Sequence, residues 1–198
     1  MRYVVIDLEM CDIPKNYRDQ VHPYMKETIQ IGAVLLDEGF NICDSFMTLV
    51  CPERGIISDK IQKLTGISQK SVKKAPKMKD ALKLFADWLP DEVTLVSWSE
   101  SDCVQIQTEI EGKQIVFDGI NKVLENWLDC QKTFSDIVKN PRKYKLVEAM
   151  NLSDIDYDDN MHDGLIDAKN TALLFRKMMT EEEFQFNQYY TLTEDTEC

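Results

Sequence analysis

The sequence predicts an α/β domain with a mixed sheet and helices on its faces. Strand-like segments come first, within the opening fifty residues, and strands then alternate with segments of helical period. The first strand signal is also the strongest: "YVVIDLEMC" opens with a short, β-branched apolar run of the kind found in buried central strands.

Each element can be read in order. "RYVVIDLE" is a buried strand. "TIQIGAVLLD" and "NICDSFMTLV" are two more, and "DEGFN" between them supplies the turn residues of a hairpin. "SDKIQKLTGI" suits a short helix capped by Ser58 and broken near Gly66. "KMKDALKLFADWL" places Met78, Leu82, Phe85 and Leu89 on one helical face, with Pro76 at or just before its start. "EVTLVSW" is a fourth strand. "SDCVQIQTEIEG" is a helix that Ser101 caps and Gly112 ends. "INKVLENWLDCQKTFSDIV" is ambiguous, with a short strand placed around Trp127 to Leu128 and helix near it. "RKYKLVEAMN" is a helix, and "GLIDAKNTALLFRKMM" is the last, with Leu165, Ala168, Ala172 and Phe175 inward. Residues 1–180 form one domain and residues 181–198 an acidic C-terminal tail, whose final "TEDTEC" is expected to be mobile.

The totals exclude several classes. A chain of 198 residues that is 43% hydrophobic can build a core without staples. There is no membrane-length apolar run and no basic-then-apolar leader at the start, so neither a membrane span nor a secretory leader is expected. Six scattered cysteines without a Cys-x-x-Cys pair indicate a reduced, cytoplasmic setting and no zinc knuckle. The net charge of -12 argues against bulk attraction to nucleic acid, but its distribution is uneven. Lys60, Lys63, Lys70, Lys73, Lys74, Lys77 and Lys79 fall in one stretch without an acid, a second basic group is "KNPRKYK", and residues 181–198 hold six acids and no base. The lysines are either a solvated face or a contact for phosphates.

Acidic residues carry the functional signal. Residues two apart on a strand share a face, so Val5, Asp7 and Glu9 lie opposite Val4, Ile6 and Leu8. Two carboxylates about 7 Å apart along a strand repel unless a cation lies between them. Alone, they would also fit solvent beyond the strand end or pairing with lysines. Asp102 follows "VTLVSW" at the start of a helix, the carboxyl edge where open α/β sheets bind ligands. In "HDGLIDAKNTA", His162 and Asp167 are five apart. On one helix that spacing separates them by about 140°, so they converge only if His162 lies on the preceding loop and Asp167 in the first turn. Gly164 permits the bend, and Asp163 is the expected N-cap.

In this order and spacing, "VVIDLEMC", "SWSESD" and "HDGLIDAKNTA" resemble the three motifs of the DEDDh branch of DnaQ-like 3'-5' exonucleases, within the RNase H-like superfamily. The resemblance runs to about residue 180 and includes "ETIQIGAVLLDE" and the Leu-Thr-Gly-Ile turn of "DKIQKLTGISQK". "NWLDCQKTF" and "YKLVEAMN" resemble segments of the Eri-like and KapD-like members, which are mostly ribonucleases. The chain departs from the pattern at Cys11, where many members carry Thr, and at "SWSESD", which is more polar than the corresponding segment of polymerase proofreaders.

The resemblance implies an RNase H-like mixed central sheet, its first three strands antiparallel and the rest parallel, with helices on both faces. It implies hydrolysis from the 3' end of single-stranded RNA or DNA, RNA favoured, releasing nucleoside 5'-monophosphates. Two Mg2+ ions per site are expected, with Mn2+ an alternative, held by Asp7, Glu9, Asp102 and Asp167. His162 is the general base, a role that suits imidazole near neutral pH. Leu64, Thr65 and Ile67 border the terminal nucleotide, and Met10 and Trp98 are candidate stacking platforms. A non-catalytic regulatory module on the same fold is the main alternative, since KapD-like members are associated with sporulation kinases. A histidine-aspartate phosphohydrolase would need more histidines than His22 and His162.

Overall fold

The computed structural model describes residues 2–18 and 24–190. The "TEDTEC" segment lies outside the described residues. Strands β1 (Arg2–Asp12), β2 (Lys26–Leu36) and β3 (Ile42–Leu49) form an antiparallel meander. Helices α1 (Asp59–Thr65), α2 (Gln69–Val72) and α3 (Met78–Trp88) follow. Strand β4 (Val93–Ser97) and β5 (Trp127–Asp129) then add in parallel, giving the order β3-β2-β1-β4-β5. Between them lie α4 (Ser101–Gly112) and α5 (Asn121–Leu124); α6 (Cys130–Val138), α7 (Leu146–Leu152) and α8 (Gly164–Thr180) complete the α-helices among the described residues, and a single 3-10 turn, Lys15–Tyr17, follows β1.

Strand alternation divides the core as the period of two requires. Val4, Ile6, Leu8, Ile31 and Ala33 pack with Met78, Leu82 and Phe85 of α3 and with Ile106 of α4. Val5, Val34 and Val96 pack on the opposite face with Phe134 of α6, Ala149 of α7 and Phe175 of α8. This is the expected mixed sheet with helices on both faces.

Local chemistry explains most boundaries. Ser58 accepts the Ile61 N–H and caps α1, and Gly66 ends it at φ 71. Two expectations are corrected. Ser101 is the first residue of α4 rather than its cap; the N-cap is Glu100, with no side-chain cap bond. Helix α7 is shorter than "RKYKLVEAMN" suggested, because Arg142 to Lys145 form an extended lead-in whose Tyr144 is buried. Residues 181–190 fold back: Phe184 packs edge-on to Phe134 and the Asn187 N–H donates to Leu152 O.

Candidate active site

The two first-strand carboxylates lie within β1, not at its end. Strand β4 pairs with β1 only as far as Val5–Val96, while β2 follows β1 from Tyr3 to Asp12. One edge of β1 is therefore open beyond Val5, where parallel strands diverge. Asp7 sits opposite Gly32 and Glu9 opposite Gln30, and the pairing register shifts between Glu9 and Met10. Such a bulge bends the strand and re-aims its side chains.

Asp102 occupies the gap left by β4. It stands in the first turn of α4, and its Oδ1 accepts the Leu8 N–H at 3.1 Å, satisfying a backbone donor between the two acids.

Helix α8 brings the remaining groups onto the same face. Its start crosses β2 so closely that a Cβ on Gly32 would meet Gly164 C at 2.2 Å, and a Cβ on Gly164 would meet Asp7 O at 3.0 Å. Only glycine permits this approach. Asp163 caps the helix through the Leu165 and Ile166 N–H groups at 2.9 and 3.3 Å. Asp167 lies in the first turn, and its Oδ2 accepts the His162 N–H at 2.9 Å. His162 sits on the preceding loop at φ 70, as convergence with Asp167 demands. Ligand atoms of Glu9, His162 and Asp167 lie within 4.8 Å of one another.

The site is electrostatically unbalanced. Burial, then repulsion from Asp102, Asp167 and Glu9, pushes the Asp7 carboxyl well above its ordinary range. Burial and the neighbouring acids push Glu9 up to about 8, and burial pushes Asp102 to about 7 against the opposing pull of the Leu8 N–H. Asp167 is raised by burial. Its buried Oδ1 has no hydrogen-bond partner. An orphaned oxygen among crowded carboxylates fits a hard divalent cation, which would supply the missing charge.

The other candidate residues are placed differently. Met10 is half-buried just past the bulge, Leu64 is exposed, and Thr65 is half-buried with its hydroxyl on Ile61 O. Ile67 is inside the core with Cys11, Ile29 and Val72. Trp98 is half-buried against Phe134 and donates to Tyr144 O, a packing position. Cys11, the departure from the family pattern, is buried, and its thiol is pushed up to about 12 by burial, Glu27 and Glu109. Sequence reasoning overlooked Gln30, whose Oε1 accepts the Gly164 N–H at 2.9 Å. A polar residue inside the apolar run "TIQIGAV" was the available signal.

The sequence model described as exonuclease, RNase_T, matches residues 4–175. The chain belongs to the exonuclease family. Its relatives include ERI1 exoribonuclease 2 of Danio rerio, 31% identical over 79% of this chain and 32% of the relative. The 3'-5' exoribonuclease 1 of Homo sapiens is 29% identical over 89% of this chain and 52% of the relative. This exonuclease domain therefore spans about a third to a half of those relatives. Among solved structures, the nuclease domain of 3'hExo, a DEDDh family member bound to rAMP, superposes with a TM-score of 0.75 at 26% identity, covering 94% of this chain and 96% of that one. Among the described residues, no helix is long and apolar enough to cross a membrane.

Proposed function

We propose that the protein removes nucleotides from the 3' end of single-stranded nucleic acid, RNA favoured, and releases nucleoside 5'-monophosphates. The observation that carries this reading is the unpartnered Asp167 Oδ1 among the crowded carboxylates of Asp7, Glu9 and Asp102, beside the His162 loop. Relatives named 3'-5' exoribonucleases, and a neighbour holding rAMP, support RNA as the substrate.

Asp7, Glu9, Asp102 and Asp167 would hold two divalent cations, and their oxygen-only donor set favours Mg2+, with Mn2+ an alternative. Bound there, the ions would activate water and stabilise charge on the leaving 3' oxygen. The chain's own groups do the rest. The Leu8 N–H holds Asp102 in place, and the His162 N–H holds Asp167. The exposed His162 ring takes a proton from the attacking water at a ring nitrogen. The exposed lysines of residues 60–79 contact backbone phosphates; among the described residues, only Lys77 of the seven has a carboxylate partner, Glu53 at 3.6 Å.

The test uses 5'-labelled single-stranded RNA, single-stranded DNA and duplexes with 3' overhangs. A ladder shortening from the 3' end and abolished by EDTA is expected, fastest on RNA. Internal cuts, or no cleavage in Mg2+ or Mn2+, would sink the reading, and faster DNA cleavage would reverse the preference. His162→Ala is expected to lose about 100- to 10,000-fold in rate. It should still bind Mn2+ in calorimetry; loss of that binding would make His162 a ligand instead.

A further inference from the structure

We propose that Gln30 is a positioning residue that sets the His162 loop against the acidic cluster. The proposal rests on the hydrolytic reading above. Gln30 is buried in the middle of β2, between the fully buried Ile29 and Ile31. A buried amide is retained where it makes hydrogen bonds, because burying it unpaired is costly.

Its carbonyl reaches a donor that nothing else in the helix can satisfy. Gly164 is the first residue of α8, where backbone N–H groups lack intrahelical partners. Asp163 takes the next two, from Leu165 and Ile166, and Gln30 Oε1 takes the Gly164 N–H at 2.9 Å. On its other side, Gln30 lies directly opposite Glu9 in the β1–β2 register. One amide thus stands between the strand that carries the acids and the helix start that carries Asp167.

The consequence falls on His162. The two residues His162 and Asp163 are tied at both ends, by the His162 N–H on Asp167 Oδ2 and by the Gly164 N–H on Gln30 Oε1, each at 2.9 Å. Between these ties His162 adopts φ 70, a conformation that non-glycine residues keep only where the surroundings over-determine it. Removing the Gln30 acceptor frees one tie and leaves the imidazole poorly aimed. The rest of α8 stays anchored through Ala172, Leu174 and Phe175 in the core, so the fold persists. Gln30 acts through His162 and needs no contact with substrate.

Gln30→Met keeps the side-chain length and loses the acceptor; Gln30→Glu keeps an acceptor. At saturating Mg2+, Gln30→Met is expected to lower kcat about 10- to 100-fold, the scale of a small misplacement, with KM changed less than about twofold. In hydrogen exchange on the metal-free protein, the Gly164 amide should exchange about 10-fold faster in Gln30→Met and recover its protection in Gln30→Glu. Wild-type kcat, or unchanged Gly164 exchange, in Gln30→Met overturns the proposal. So does faster exchange spread evenly over β1 and α8, which marks a plain loss of stability. If Gln30→Met does not fold, the wild-type protein decides: a Gly164 amide exchanging as fast as that of the exposed Asp159 overturns the clamp. Should the wild type fail to cleave RNA, the hydrolytic reading falls, and the exchange data alone judge the clamp.

Discussion

Two groups of carboxylates hang on β1, β2, α4 and α8, and they are built in opposite ways. In the first, Asp102 of α4 joins Asp7, Glu9 and Asp167, and among the described residues no lysine or arginine pairs with them, His162 alone standing beside Asp167. In the second, two helical turns further along α4, Glu109 joins Glu27 of β2. There Lys113 Nζ lies 2.7 Å from a carboxylate oxygen of each. Glu27 also accepts the Arg54 and Gly55 N–H groups at 2.7 and 2.5 Å. Glu109 accepts the Thr28 N–H and hydroxyl at 2.8 and 2.6 Å and the Gln105 amide at 2.8 Å. Burial would raise Glu27, but the Lys113 ammonium and the two backbone donors more than offset it and hold the carboxyl below its ordinary value. Where the acids serve structure, the chain supplies the counter-charge; where it withholds one, the proposed cations would supply it from solution. The unbalanced group costs stability, which is how functional sites commonly behave.

Exchanging one acid in each group should separate the two roles. Asp7→Asn is expected to reduce hydrolysis at least about 1,000-fold, on the scale seen when a group acting as part of a catalytic unit is removed. In EDTA the same variant should melt higher than wild type, because a crowded buried charge has gone. Glu109→Gln should do the reverse, losing about 3 kcal/mol by breaking a buried pair while leaving Mn2+ binding intact. The two readouts are the melting temperature in EDTA and the cleavage rate in Mg2+. An Asp7→Asn protein that melts lower and cleaves normally would leave Asp7 as an ordinary structural acid.

A pH titration sharpens the contrast without mutation. For the first group, the folded carboxyls bind protons more tightly than the unfolded ones. Stability from these groups is therefore complete below the unfolded value near 4 and is lost as pH rises through about 7 for Asp102 and about 8 for Glu9. Glu27 has the opposite sign: its contribution is present above its unfolded value and is lost as pH falls through its lowered folded value. The metal-free protein should melt highest near pH 5 and progressively lower toward pH 8, as read by calorimetry in EDTA. Saturating Mg2+ should flatten the alkaline side. A melting temperature in EDTA that rises from pH 5 to 8 would contradict the unbalanced group.

The first group was legible in the sequence and the second was not, for physical reasons. Asp7 and Glu9 share a face by the strand period, and His162 and Asp167 can meet only across a helix start, so local geometry constrained them before any tertiary contact was known. Glu109 and Lys113 are four apart on a helix, which reads as an ordinary solvated pair. Their burial depends on Glu27, far away on β2, and no local pattern reports that pairing. Gln30 was hidden for the same reason: its partner Gly164 is 134 positions away. The extent of β1 was underestimated because "EMCD" is not apolar; β2 pairing carries the strand to Asp12 regardless. Hairpin and helix faces followed from periodicity, whereas the Ser101 cap failed because the loop "SWSE" enters α4 already turning, with Glu100 at φ -60.

The weakest expected effect lies outside both groups. The proposed action on RNA by so acidic a protein requires a local attraction, and the lysines between residues 60 and 79 are exposed with little to neutralise them. Each phosphate contact should contribute about 0.7 to the slope of log affinity against log salt on a single strand. Replacing Lys63, Lys70 and Lys74 together with Gln should therefore raise KM for a long RNA several-fold at low salt and lessen its salt dependence by about two units of slope. Cleavage of a dinucleotide, too short to leave the acidic site, should be unchanged. If the dinucleotide and the long RNA respond alike, the lysines act on the site's general field; if neither responds, they are only a solvated face. Loss for the long RNA alone would set the lysine face apart from the acidic cluster as a separate grip on the chain.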